Sequence, residues 1–182
     1  MLQNKWLING LGVIGLILAF WAGSTVMKWY RDSTPAAEQA RAMQNTYRPG
    51  FVLPDLEGRL RDVNEWNGRV LVVNFWATWC PPCRKEMPAF MDLQERYGKQ
   101  GLQFVGIALD ELDKVQDYVD TLGVEYPILV GGDKAMQVAI AYGNSFGALP
   151  YTAIIDRQGT IVAVYRGELE GEEAESVIKP LL

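Results

Sequence analysis

Between Lys5 and Lys28 the chain carries no charge, and most of the positions in "WLINGLGVIGLILAFWAGSTVM" are apolar. A bilayer span needs about 20 such residues. Trp6, Trp21, Trp29 and Tyr30 put aromatics at both ends of the stretch, as membrane interfaces favour. The pattern predicts a single transmembrane anchor over residues 1–30. The competing reading is a cleaved signal peptide, with Ala22, Gly23 and Ser24 as small residues after Leu16–Phe20. The apolar run exceeds the roughly 7–15 residues of a signal core, which favours the anchor. A buried core helix fits less well, because the segment is apolar on every side and precedes a polar linker. Lys5 and the terminal amine flank one end and Lys28 and Arg31 the other, so charge leaves the orientation open.

Residues 31–48, "RDSTPAAEQARAMQNTYR", are polar and read as a tether in which "AAEQARAMQ" can form a short helix. From residue 49 to 182 strand-like and helix-like patterns alternate. "FVLPDLEGRLRDV" predicts a hairpin about Glu57-Gly58. "VLVVNFWA", from Val70, is a continuous β-branched apolar run, as in a strand buried on both faces. Residues 81 to about 100 are helical in pattern, with Phe90, Leu93 and Tyr97 on one face and a kink expected at Pro88. "LQFVGIAL" reads as a strand, "LDKVQDYVDTLG" as a helix, "YPILVG" as a strand and "DKAMQVAIAYG" as a helix. "TAIIDRQGTIVAVYRG" predicts two strands about Arg157-Gln158-Gly159, followed by an acidic stretch that can start a last helix. This order predicts an α/β domain whose mixed sheet ends in an antiparallel hairpin.

Composition narrows the chemistry. The 182 residues carry a net charge of -5. Residues 1–48 have five Lys/Arg against two Asp/Glu, and residues 49–182 have twelve against twenty. A basic segment near lipid headgroups and an acidic domain make nucleic acid a poor partner. The chain has two cysteines and no histidine. Both cysteines lie in "NFWATWCPPCRKEMP", two residues apart. A closed zinc site takes four ligands, which two cysteines without histidine do not supply. Cu(I) held by two thiolates stays open, although Met87 and Met91 read as core residues. A structural staple is weak, because so short a loop constrains little of a chain that can build a proper core. Without histidine, cysteine acyl transfer lacks its usual base. Thiol–disulfide exchange is the chemistry in which two cysteines serve each other.

Cys80 falls where a strand gives way to a helix, at the predicted N-cap, with Cys83 in the first turn. A thiolate there gains from unpaired amides and the helix dipole, so Cys80 is the expected nucleophile and Cys83 the resolving thiol. Pro81 suits the first helical position. Pro82 removes an amide that would stabilise the Cys80 thiolate, which predicts a more reducing pair.

"WCPPC", after "VVNFWAT" and before Pro88, resembles the thioredoxin superfamily. The longer "NFWATWCPPCRKEMP", the preceding hairpin and "ALPYTAIIDRQGTIV" resemble the membrane-anchored TlpA/ResA-like thiol–disulfide oxidoreductases from about Pro49 onward. The resemblance implies a thioredoxin-like mixed sheet flanked by helices, with an N-terminal hairpin extension. It implies Cys80, Cys83 and Glu86 as catalytic residues, Glu86 standing where the family has an acid/base candidate. A solvated Glu86 balancing Arg84 and Lys85 is the alternative. Trp79, Pro81, Pro82, Leu149 and Pro150 are the implied substrate-contacting set, with Pro150 as a cis-proline, although it can also simply begin a strand. Trp76 is expected beneath the site. Asn74 stands where thioredoxin has a buried Asp, and Asn cannot take a proton. No cofactor is implied beyond the Cys80–Cys83 pair.

The implied partners are disulfide-containing envelope proteins, a membrane thiol reductase as electron donor, and the membrane itself through the N-terminal helix. The implied place is the cytoplasmic (inner) membrane, with the catalytic domain on the extracytoplasmic, periplasmic side. Reduction of envelope disulfides, in cytochrome c or metal-centre assembly, is the leading expectation. The alternatives are an oxidase of the same fold and a non-enzymatic copper chaperone or assembly factor. "SFGALPYT" replaces the "GVYGAPET" of the cytochrome c maturation branch, which weakens that role. A peroxiredoxin-like peroxidase is disfavoured because Ala77, not Thr or Ser, lies three residues before Cys80.

Overall fold

The computed structural model describes residues 20–27 and 34–182. The chain divides into two units, Met1–Glu38 and Gln39–Leu182. In the first, residues 20–27 are helical, with Phe20, Trp21, Val26 and Met27 exposed. Among the described residues no helix is long and apolar enough to cross a membrane. The expected span over residues 1–30 lies mostly outside the described residues.

A short helix, α1 (Pro35–Met43), leads into a hairpin of β1 (Val52–Pro54) and β2 (Leu60–Asp62). Asp55 organises its turn, accepting the amides of Glu57 and Arg59 at 3.1 and 2.9 Å. A 3-10 turn, Val63–Trp66, follows, closed by a capping box between Asp62 and Glu65. The remaining elements are β3 (Val70–Trp76), α2 (Pro81–Tyr97), β4 (Leu102–Ala108), α3 (Leu112–Leu122), β5 (Ile128–Val130), α4 (Asp133–Ala141), β6 (Tyr151–Ile155), β7 (Ile161–Arg166) and α5 (Gly171–Ile178). Helix α2 continues through Pro88.

The sheet order is β5-β4-β3-β6-β7, with β3, β4 and β5 parallel and β6 and β7 antiparallel to their neighbours. Strand β3 is central and buried along its whole length, as its uninterrupted apolar run requires. Successive side chains alternate between faces. Val70, Val72 and Trp76 join Phe90, Leu93, Val115 and Ile178 in one core. Leu71, Val73 and Phe75 join Phe51, Leu53, Ala135 and Tyr142 in the other. By this alternation Asn74 belongs to the first face, where α2 lies.

The segment assigned to the linker by sequence enters the sheet before residue 49. Asn45 and Arg48 donate their amides to Ile161 and Gly159 at 2.8 Å, and Ile161 donates back to Thr46 at 2.9 Å. The buried Arg48 side chain bonds Asn64 and Asn67 at 3.0 and 2.6 Å. At the other edge Asp55 of the hairpin bridges Leu129 of β5. Gly159, in the β6–β7 turn, has φ +89, and an added Cβ would lie 2.6 Å from Tyr47 Cε2. Gly159→Ala is expected to cost about 1–2 kcal/mol for the left-handed conformation alone, readable as a lowered urea midpoint at unchanged slope.

Candidate active site

The site forms where β3 ends. After Trp76 the chain makes a turn in which the Cys80 amide donates to Ala77 O at 3.2 Å. Cys80 then caps α2 with extended backbone, φ -92 and ψ 104. Prolines 81 and 82 open the helix without sacrificing hydrogen bonds, because first-turn amides have no partner within the helix. Cys80 and Cys83 are joined by a disulfide, with their Cα atoms 5.3 Å apart. The Cys83 amide donates to Cys80 Sγ at 3.4 Å. Of the first-turn amides, this one aims at the sulfur while Pro81 and Pro82 offer none.

Cys80 is 3% exposed and Cys83 fully buried. Around them Pro81 is exposed, Pro82 and Leu149 are half-buried, and Pro150 is buried. Trp79 is 66% exposed, an unusual position for so large an apolar ring, whereas Trp76 is fully buried. The Leu149–Pro150 peptide bond is cis. Tyr151 pairs with Phe75, so the register carries Leu149 and Pro150 alongside the end of β3 that leads to Cys80.

Glu86 is 2% exposed, so the solvated alternative does not hold. The sequence places it between Lys85 and Met87, but helical phase turns it inward with Cys83, Met87 and Phe90. Its Oε1 accepts from Asn74 Nδ2 at 2.8 Å and its Oε2 from the Leu169 amide at 2.9 Å. Asn74 also donates to Thr152 Oγ1 at 2.9 Å. Burial pushes the Glu86 carboxyl up to about 7, against the lowering effect of the Leu169 and Asn74 hydrogen bonds and with a further upward push from Glu168. A carboxyl poised near neutrality, one helical turn from Cys83, suits proton exchange with a thiol. Lys85, beside it in sequence, points outward and pairs with Glu168 at 2.6 Å.

Three contributors had no signal in the sequence. Thr152 reaches Asn74 from β6. The loop after β7 supplies Leu169 to Glu86, and its Gly167 amide bonds Pro150 O at 2.8 Å. Asp110, after β4, accepts the Thr78 amide at 3.0 Å and also the Thr78 hydroxyl. Each depends on a contact between residues distant along the chain, and none falls in a recognisable spacing.

Residues 45–164 match the model of the AhpC/TSA family. The chain is 30% identical over 182 residues to the thiol-disulfide oxidoreductase ResA of Geobacillus thermodenitrificans, covering 100% of this chain and 99% of that one. It is 37% identical over 148 residues to the ResA of Halalkalibacterium halodurans, covering 79% and 82%. A thiol:disulfide interchange protein of the thioredoxin family from Chlorobium tepidum has a similar structure, with a TM-score of 0.69 and 28% identity over 76% of this chain and 97% of that one.

Proposed function

The chain belongs to the AhpC/TSA family and is a thiol–disulfide oxidoreductase of the ResA kind, and on that footing we propose that it reduces disulfides of extracytoplasmic proteins through Cys80 and Cys83. The observation that carries the reading is a disulfide at the start of α2 with a buried carboxyl, Glu86, one turn further along.

In the reduced enzyme the Cys80 thiolate attacks one sulfur of the substrate disulfide. A Cys80–substrate disulfide forms and the other substrate sulfur leaves as a thiolate that takes up a proton. Glu86, in its ionised form, accepts the Cys83 proton. The Cys83 thiolate then attacks Cys80 Sγ, forming the Cys80–Cys83 disulfide and releasing the second substrate sulfur. Two electrons have passed from enzyme to substrate. A membrane thiol reductase returns them, reopening the disulfide. Trp79, Pro81 and Pro82 form the apolar approach, and Leu149 beside Pro150 offers backbone to an extended substrate strand.

Two observations favour the reductive direction over an oxidase. The residues following Cys80 are prolines without amides to stabilise its thiolate, and the remaining amide donor to its sulfur is that of Cys83 at 3.4 Å. A poorly stabilised thiolate makes the reduced pair the better electron donor. The uncharged segment between Lys5 and Lys28 is long enough to anchor the chain in the cytoplasmic membrane, and the resemblance to membrane-anchored oxidoreductases is the ground for setting this domain on the periplasmic side. Substrates awaiting haem or metal attachment are the ones such a reductant serves, since an oxidising compartment would otherwise close their thiols.

The test is the equilibrium reduction potential of the Cys80–Cys83 pair. A value near about -270 mV, as in thioredoxin, is expected. A value near about -120 mV, as in a strong oxidant, would place the enzyme in disulfide formation instead.

A further inference from the structure

The turn before Cys80 is held by a carboxylate from the loop that follows β4. Asp110 Oδ2 accepts both the amide and the hydroxyl of Thr78, and its Oδ1 accepts the Glu111 amide at 2.8 Å. Next to it, the Leu109 amide donates to Trp76 O at 2.9 Å. The turn Ala77–Trp79 is therefore tied to the end of β4 on both sides of Ala77, and to Cys80 through the amide bond to Ala77 O. A neutral oxygen would satisfy the same two Thr78 donors. A carboxylate adds stronger hydrogen bonds and a negative charge held against Thr78, two residues before the thiol that reacts.

That charge persists wherever thiols react. Burial favours the neutral acid, but the Thr78 hydroxyl, the Glu111 and Thr78 amides and the Lys114 ammonium together hold Asp110 below the usual carboxylate range. Charged groups close in sequence to the dithiol or to Asp110 have partners of their own. Arg84 lies over the Tyr118 ring at 5.5 Å, Lys85 pairs with Glu168, Lys114 pairs with Glu111 at 2.8 Å, and Glu86 lies buried with Asn74 and Leu169.

We propose that Asp110 is a positioning residue for the exchange reaction: its carboxylate fixes the Thr78–Trp79 turn and, as an anion beside the start of α2, opposes the Cys80 thiolate. The dithiol is thereby kept a stronger electron donor, because a less stable thiolate raises the free energy of the reduced form relative to the disulfide. The proposal rests on the reading of Cys80 as the attacking sulfur.

Asp110→Asn keeps an acceptor oxygen for Thr78 and removes the charge. In the full-length reduced protein, the pH profile of Cys80 alkylation by iodoacetamide, followed on the modified peptide, is expected to move its midpoint down by about half a pH unit, the scale of one partly screened charge. The reduction potential should become less negative. Thr78→Val keeps the charge and removes one hydrogen bond, so its midpoint should not fall, while the Trp79 fluorescence should change as the turn loosens. An unchanged midpoint in Asp110→Asn overturns the proposal, as does an equal fall in Thr78→Val. A midpoint that falls in Asp110→Asn, in a protein that reduces no protein disulfide, supports the role of Asp110 and sinks the reductase reading alone.

Discussion

Replacing Cys80 by serine is expected to abolish disulfide reduction, while Cys83→Ser is expected to give a protein that attacks once and stays joined to its substrate. The asymmetry follows from the site. Cys80 caps α2 and is 3% exposed, whereas Cys83 is fully buried one turn in. A serine hydroxyl does not ionise near neutral pH and cannot form a sulfur–sulfur bond, so the Cys80 variant loses the first step entirely. Without Cys83 the first step proceeds and no sulfur is placed to displace the substrate. A non-reducing gel with a disulfide-containing substrate reads the difference as a cross-linked band with Cys83→Ser and none with Cys80→Ser. The reverse pattern would make Cys83 the attacking sulfur. Either variant loses about 2 kcal/mol of stability by the chain-entropy argument for so short a loop, and both should fold.

Glu86→Gln is expected to slow turnover about a hundredfold, the lower end for loss of a positioned acid–base group, and yet to make the protein more stable above pH 7. In the unfolded chain a Glu ionises near 4.5, whereas burial holds the folded carboxyl up to about 7. Below 4.5 the carboxyl is protonated in both states and the folded state suffers no charge penalty. Between 4.5 and 7 the unfolded chain alone sheds its proton, so stability falls as pH rises, by on the order of 3 kcal/mol in all. Gln carries no proton to lose. Its amide also has a ready partner: Asn74 Oδ1 is buried without a hydrogen bond, and rotating the Asn74 amide turns that oxygen towards the new donor. Urea unfolding at pH 5 and pH 8 should show the wild type losing stability between the two and Glu86→Gln changing far less. The rate profile of the variant should lack the inflection near pH 7. A variant less stable than wild type at pH 8 with an unaltered profile would leave Glu86 a purely structural group.

The alternation of strands and helices was legible because each element writes its own period. "VLVVNFW" has no polar interruption except Asn74, and it is the buried central strand. Cys80 at the N-cap was equally legible, since a strand followed by two prolines leaves little choice of where the helix begins. Strand β5 was harder. "YPILVG" shrinks to Ile128–Val130, because it pairs with β4 over three positions and Pro127 has no amide to extend the ladder. The inward turn of Glu86 was half-written in the spacing of Cys83, Met87 and Phe90, but the adjacent Arg84 and Lys85 gave an exposed helix face an equal claim. The contacts of Asp110 with Thr78, and of Thr152 with Asn74, have no local signature at all. They exist because parallel β4 and antiparallel β6 flank β3, and sheet order is a property of the whole chain.

The short pairings outside the main sheet also govern how the molecule meets other chains. Residues 45–48 lie along the start of β7, and Asp55 of the hairpin meets β5, so both flanks of the five-stranded sheet are partly covered. Uncovered flanks act as templates on which foreign strands add, and so seed aggregation. An oxidoreductase whose partners are other polypeptides works among extended segments able to pair in that way. Covering the flanks withholds those edges from foreign strands, whose addition there would lead to fibres.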